Sequence, residues 1–307
     1  MSAKKFLFEG NIPALVTPFN EAGELMTDSL AALVEWHLTR GADGICLAGD
    51  NGEAWALTHD DRKRLAETAV KAVRKRVPVL MGASYPVPRQ TIDAAEIAAK
   101  AGVDALMIGP QSYVLKTTPK ELTDRFVTVH KAVPLPIVVY NSPRRTQINL
   151  EPDMLAAICD VVPVIGLKEA SRDIFHLTEI LARFSERLAV LIGPCPFILP
   201  GVALGARGFV ASGPELFGRE AAGLMALGRA KPSEEHKRVH LALTRVYAAL
   251  MGTATWPAAL KAGLNMVGAP AGVPRPPVQA LAAPDAEKIR RVLEDVGILS
   301  RARRAGE

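Results

Sequence analysis

The chain lacks most of the features that mark common functions. Aromatic residues make up only 5% of its 307 positions, and its 37 Lys and Arg are mixed with 32 Asp and Glu for a net charge of +5. A nucleic-acid surface calls for a long basic run interleaved with aromatics, and none is present, so nucleic acid is not expected as a partner. The three cysteines, Cys46, Cys159 and Cys195, are far apart. Such an odd, scattered set makes neither a disulfide framework nor a paired-cysteine metal site. No run of about 18 apolar residues exists to span a membrane. The opening MSAKKFLFEGN contains no apolar signal core. The expectation is a soluble cytoplasmic protein without a membrane partner. Of the six histidines, His236 and His240 stand four apart but lack the glutamate of an HExxH zinc site, so no metal is expected.

Short apolar runs, by contrast, are plentiful: IPALVTPF from residue 12, DGICLAG from 43, VPVLMGAS from 77, DALMIGP from 104, LPIVVYNS from 135, VPVIGLKEA from 162, LAVLIGP from 188 and RGFVASG from 207. These eight are apolar nearly throughout, as parallel strands covered on both faces must be. Helical patterns lie between them. Thr58 with Asp61, and Thr118 with Pro119 and Glu121, read as capped helix starts. Leu65, Ala69, Ala72 and Val73 mark one helix face, and Gly41, Gly102 and Gly205 sit where a helix C-terminus needs a left-handed residue. Eight strand–helix units predict a (β/α)8 TIM barrel over residues 1–230. An open doubly wound sheet is the competitor, but no GxGxxG follows the first strand. Beyond residue 230 strand signals stop. HKRVHLALTRVYAALMG and PDAEKIRRVLEDVG, joined by the Pro-rich GAPAGVPRPPV, predict a C-terminal helical extension over 231–307.

Barrel chemistry gathers at the C-terminal ends of the strands. The sixth run ends in Lys168. Desolvation there favours the neutral amine, so its pKa should fall, and a neutral amine attacks ketones to form a Schiff base. A lysine that packs its stem and extends its head to water is the plainer alternative. The fifth run ends in Tyr140, which can move protons or simply pack. Arg145, in the loop beyond it, can turn its fork toward a carboxylate or stay solvated. The GDNGE loop after the second run, with Asp50, Asn51 and Gly52, exposes backbone N–H groups to an anion or is an ordinary turn. Gly193 ends the seventh run.

Taken together and in order, IPALVTPF, GDNGEA, YNSPRRT, GLKEAS and PAALKAGLNMVG with RPP resemble the dihydrodipicolinate synthase / N-acetylneuraminate lyase family, from about residue 10 to residue 280. The resemblance implies a class I aldolase-type barrel. It assigns the imine-forming lysine to Lys168 within Gly166-Leu167-Lys168-Glu169, and the acid/base tyrosine to Tyr140 within Tyr140-Asn141-Ser142-Pro143. Arg145 takes the place of the arginine that binds a distal carboxylate. Four departures stand out. Asp50 and Asn51 replace two hydroxyl residues that hold the 2-oxo acid carboxylate and relay protons. Only Tyr113 is available where synthases show two tyrosines after the fourth strand. Gln147 replaces a common Gly, and Cys195 stands where an acid often follows strand seven.

The resulting expectation is a Schiff-base-forming lyase, an aldolase or dehydratase, acting on pyruvate or a pyruvate-derived 2-oxo acid. Lys168 forms the imine, Tyr140 transfers protons and Asp50 is an added acid/base. Asn51 and backbone N–H groups near Gly52 hold the C1 carboxylate, and Asp50 has a partner of its own or a raised pKa. Arg145 reads a second polar end, with Gly193 and Tyr113 also lining the substrate. No organic cofactor or metal is required, because the protonated imine is itself the electron sink. By analogy a homo-oligomer, dimer or tetramer, is expected. Two alternatives are 4-hydroxy-tetrahydrodipicolinate synthase, joining pyruvate to aspartate semialdehyde, and a non-catalytic 2-oxo-acid-binding regulator.

Overall fold

The structure is a computed structural model that describes residues 6–114, 116–229, 231–253 and 255–306. Each apolar run supplies a short strand: β1 (Gly10–Asn11), β2 (Ile45–Leu47), β3 (Val79–Gly82), β4 (Ala105–Ile108), β5 (Ile137–Asn141), β6 (Val164–Glu169), β7 (Ala189–Ile192) and β8 (Gly208–Phe209). All paired neighbours are parallel, in the order β1-β8-β7-β6-β5-β4-β3-β2. Beyond β1, a parallel bridge between Ala14 and Cys46 joins the first strand to the second and closes the (β/α)8 barrel. The first strand starts two residues before its apolar run, because Gly10 and Asn11 pair with Gly208 and Phe209.

Alternation along each strand divides the core in two. Ile12, Ala14, Cys46, Leu80, Met107, Val138 and Leu191 fill the barrel with Phe6 and Phe8. The opposite parity, Leu47, Met81, Leu106, Val139, Leu167 and Val190 among others, packs against the surrounding helices. Helix His59–Val73 begins in the anticipated Thr58–Asp61 capping box, and helix Pro119–Ala132 in that of Thr118 and Glu121. Leu65, Ala69 and Val73 are buried as the pattern requires; Ala66 joins them, while Ala72 is only half-buried. Gly82 is a close-approach position, since a Cβ there would lie 2.2 Å from the Ala48 carbonyl oxygen.

The C-terminal helices Glu234–Met251, Ala258–Met266, Ala283–Asp295 and Ile298–Gly306 pack onto the barrel. Lys261 is buried and reaches Glu53 at 2.5 Å, with further bonds to the carbonyls of Thr17 at 2.6 Å and Val273 at 2.7 Å. Arg275 pairs with Asp61 at 2.6 Å and stacks over the Phe19 ring. A buried ammonium is tolerated only with such full pairing. The family-like PAALKAGLNMVG stretch is therefore a clamp that fixes the extension to the loop after β2. No helix among the described residues is long and apolar enough to cross a membrane.

Candidate active site

Lys168 and Tyr140 are registered side by side on β6 and β5. Both share the inward parity of Val138 and Gly166, so the sheet aims them into the barrel mouth. The Lys168 amine lies 4.4 Å from the centre of the Tyr140 ring, and the lysine is only 6% exposed. They form the floor of a cleft that opens at the barrel mouth.

Asp50, at the end of the second strand, reaches the same cleft. Its Oδ2 accepts the Tyr140 hydroxyl at 3.3 Å and the Arg145 Nε–H at 2.9 Å. The partner expected for Asp50 is thus Arg145. That guanidinium, on the one-turn helix Pro143–Thr146, is held across the cleft by the acid. Its own pKa is raised, first by the Asp50 charge.

Asn51 is placed on the cleft wall, but its amide hydrogens are engaged. Nδ2 donates to the Ala14 carbonyl and to Glu215 Oε1, each at 3.1 Å, while Oδ1 accepts from Ser212 at 2.8 Å and Trp256 Nε1 at 3.0 Å. All the capacity of the amide is used inside the protein. The expected grip on a substrate carboxylate therefore gives way to a structural bridge. Glu215 is 2% exposed and also accepts the Gly213 N–H at 2.6 Å; burial pushes its carboxyl up to about 7.

The Lys168 pKa departs from expectation. Burial does favour the neutral amine, but Tyr140, Cys46, Asp50 and Glu215 act the other way and leave the pKa above the ordinary lysine value. Tyr140 and Cys46 are themselves kept neutral by burial, the thiol up to about 11. Near neutrality the counter-charges left are the Asp50 and Glu215 carboxylates, and with its carboxyl raised to about 7 Glu215 is only partly ionised. The shift is opposite to the one strand position alone implies, because the barrel mouth gathers acidic groups that strand position does not reveal.

Gly193 lines the cleft, and a Cβ there would meet that of Ala170 at 2.6 Å. Two residues correct the sequence reading. Gly52 lies behind the wall, buried, its carbonyl accepting the Thr17 hydroxyl at 2.7 Å, and the N–H groups of Glu53 and Ala54 in the same turn bond back to the carbonyls of Asp50 and Gly49. Tyr113 is 95% exposed in the loop after β4 and is not among the described residues of the cleft wall. Cys195 is buried in the outer core, away from the wall. Gln147 has φ of +61°, the left-handed conformation for which glycine is the usual choice.

Several residues of the site escaped the sequence reading. Ser212 lies at the end of the eighth apolar run and Glu215 follows it, and extending the inventory of strand ends to that run would have found them. Arg144 and Arg172 lie beside residues already singled out. Tyr247, Met251 and Trp256 line the cleft from the C-terminal extension and carry no local signal.

Fold and cleft define a parallel (β/α)8 barrel with a lysine, a phenol and a carboxylate converging at the C-terminal mouth, the class of the lysine-dependent aldolases. The sequence profile of the dihydrodipicolinate synthetase family matches residues 7–296. The chain belongs to that family and is an aldolase-type lyase. A 4-hydroxy-tetrahydrodipicolinate synthase from Syntrophus aciditrophicus is 30% identical over 294 residues, covering 95% of this chain and all 100% of that protein. The crystal structure of dihydrodipicolinate synthase from Aquifex aeolicus superposes with a TM-score of 0.88 at 28% identity, over 95% of this chain and 99% of that one. The chloride-inhibited enzyme from Acinetobacter baumannii, complexed with pyruvate, gives a TM-score of 0.88 at 26% identity, over 94% and 99%.

Proposed function

We propose that the protein forms a Schiff base between Lys168 and pyruvate or a pyruvate-derived 2-oxo acid, and makes or breaks a C–C or C–O bond next to the imine. The observation that carries this reading is the Lys168–Tyr140–Asp50 arrangement at the cleft floor. The ammonium first gives up a proton, which Tyr140 passes to Asp50. The freed amine adds to the ketone carbon, and the carbinolamine loses its hydroxyl as water after protonation by Tyr140. The resulting iminium draws electrons from the neighbouring carbon, so no organic cofactor or metal enters. Asp50, where the family has a hydroxyl residue, adds a carboxylate to the proton route and favours aldol cleavage or dehydration. The reading includes a cytoplasmic small-molecule substrate and a homo-oligomeric assembly, for which the exposed Tyr113 and Phe175 offer apolar contact surface.

Borohydride reduction in the presence of pyruvate, followed by intact mass spectrometry, tests the reading. A stable mass gain in wild type, lost in Lys168→Ala, is expected. An unchanged wild-type mass would replace the enzyme with a non-catalytic binder. The names of the relatives favour a second reading, the synthase that joins pyruvate to aspartate semialdehyde. NADPH consumption in a coupled reductase assay with both substrates would select it.

A further inference from the structure

We propose that the cleft takes a 2-oxo acid with a second carboxylate at its far end, held by Arg144 and Arg172 beside the hydroxyl of Tyr247. The inference rests on the reading of Lys168 as the imine former and deepens it to a substrate class.

The charges lining the cleft are unbalanced. Lys168, Arg144, Arg145 and Arg172 face it, and Asp50 is the only acid among the described lining residues. Asp50 is already matched by Arg145, which leaves the family-like arginine occupied. Neither Arg144 nor Arg172 has a carboxylate partner among the described residues. An Arg172 Nη2–H instead donates to the Tyr247 hydroxyl, and the guanidinium lies 5.8 Å from that ring's centre. The positive charges of Arg172, Arg144 and Arg145 all act on the same phenol, although burial is the stronger influence there. Two unmatched guanidinium groups and one hydroxyl thus share one end of the cleft.

One further observation points the same way. Arg172 has φ of +67°, a conformation uncommon for a side-chain-bearing residue and one that concentrates at ligand-holding sites. A planar carboxylate matches the guanidinium fork and neutralises the excess charge.

The test compares borohydride labelling by 2-oxoadipate, by 2-oxohexanoate of equal chain length without the second carboxylate, by pyruvate, and by a 2-oxo acid with a terminal phosphate. Wild type should half-label with 2-oxoadipate at a concentration at least about 10-fold below that for 2-oxohexanoate, the scale of one charge-assisted hydrogen bond. Arg172→Gln and Arg144→Gln should each erode that ratio, and Tyr247→Phe should do so more gently. Lys237→Gln, on the exposed face of helix Glu234–Met251, controls for loss of a positive charge elsewhere. A labelled pyruvate adduct in each variant shows a folded site. Pyruvate labelling without preference for the diacid would overturn the inference and leave the Schiff-base reading intact. A ratio that survives the Arg144→Gln/Arg172→Gln double variant would overturn the residue assignment, and preference for the phosphate would overturn the carboxylate. No labelling by any 2-oxo acid would remove both proposals.

Discussion

Tyr140 and Asp50 share a hydrogen bond of 3.3 Å across the barrel mouth, and the same carboxylate oxygen takes the Arg145 Nε–H at 2.9 Å. An acid placed where the family has a hydroxyl residue is therefore bound at once to a proton donor and to a counter-charge. The bond from Tyr140 gives the Asp50 carboxyl a direct route for a proton to and from the cleft.

Asp50→Asn tests this link. The amide keeps an oxygen for both donors but cannot take a proton. Turnover of the natural 2-oxo acid should fall by roughly 100-fold or more, the scale of a lost acid/base group, while borohydride still traps an adduct. The Asp50 charge helps to hold the Tyr140 phenol above its ordinary pKa. Removing it should shift the alkaline limb of the rate profile to lower pH. Unchanged turnover would show that Asp50 only anchors Arg145.

Glu215 makes stability depend on pH. Burial raises its carboxyl from 4.5 to about 7, so the folded state holds a proton that the unfolded chain has already released. Its contribution is fully present below pH 4.5 and is lost as pH rises through 7, amounting to roughly 3 kcal/mol. Thermal midpoints should fall across this window in wild type and much less in Glu215→Gln, which mimics the protonated form. Parallel curves for the two proteins would contradict the assignment.

Lys261 and Glu53 are expected to behave as one unit. Lys261→Met leaves the Glu53 carboxylate in a site where it is 0% exposed. A loss of about 3–5 kcal/mol is expected from breaking a buried pair, read as a drop in thermal midpoint. The Glu53→Gln/Lys261→Met double variant should lose less than the two single losses combined. Strict additivity would mean that the pair does not act together.

How much of this was legible beforehand depended on whether the signal was local. Eight apolar runs specify eight parallel strands, because a strand covered on both faces has no polar position to offer. The Thr58 and Thr118 caps were readable, since a capping box spans only four residues. Lys168 and Tyr140 were found because each ends such a run, and strand ends open onto the mouth. Tyr113 was misplaced for the opposite reason. It lies in a connecting loop, where sequence sets neither direction nor packing. Gly52 lies in a turn that the Glu53 and Ala54 N–H groups close onto Asp50 and Gly49, which sets its carbonyl, not a side chain, toward Thr17.

Order along the chain, apolar period and turn chemistry were enough to determine a barrel with a lysine and a tyrosine at its mouth. Only tertiary structure decided their ionic setting. Asp50 meets Arg145 across 95 positions, and Asn51 meets Glu215 across 164 and Trp256 across 205. Electrostatic energy depends on distance through space and on the water excluded between groups, neither of which is encoded locally. For that reason burial at a strand end alone would lower the Lys168 pKa, whereas acidic groups brought from distant parts of the chain raise it.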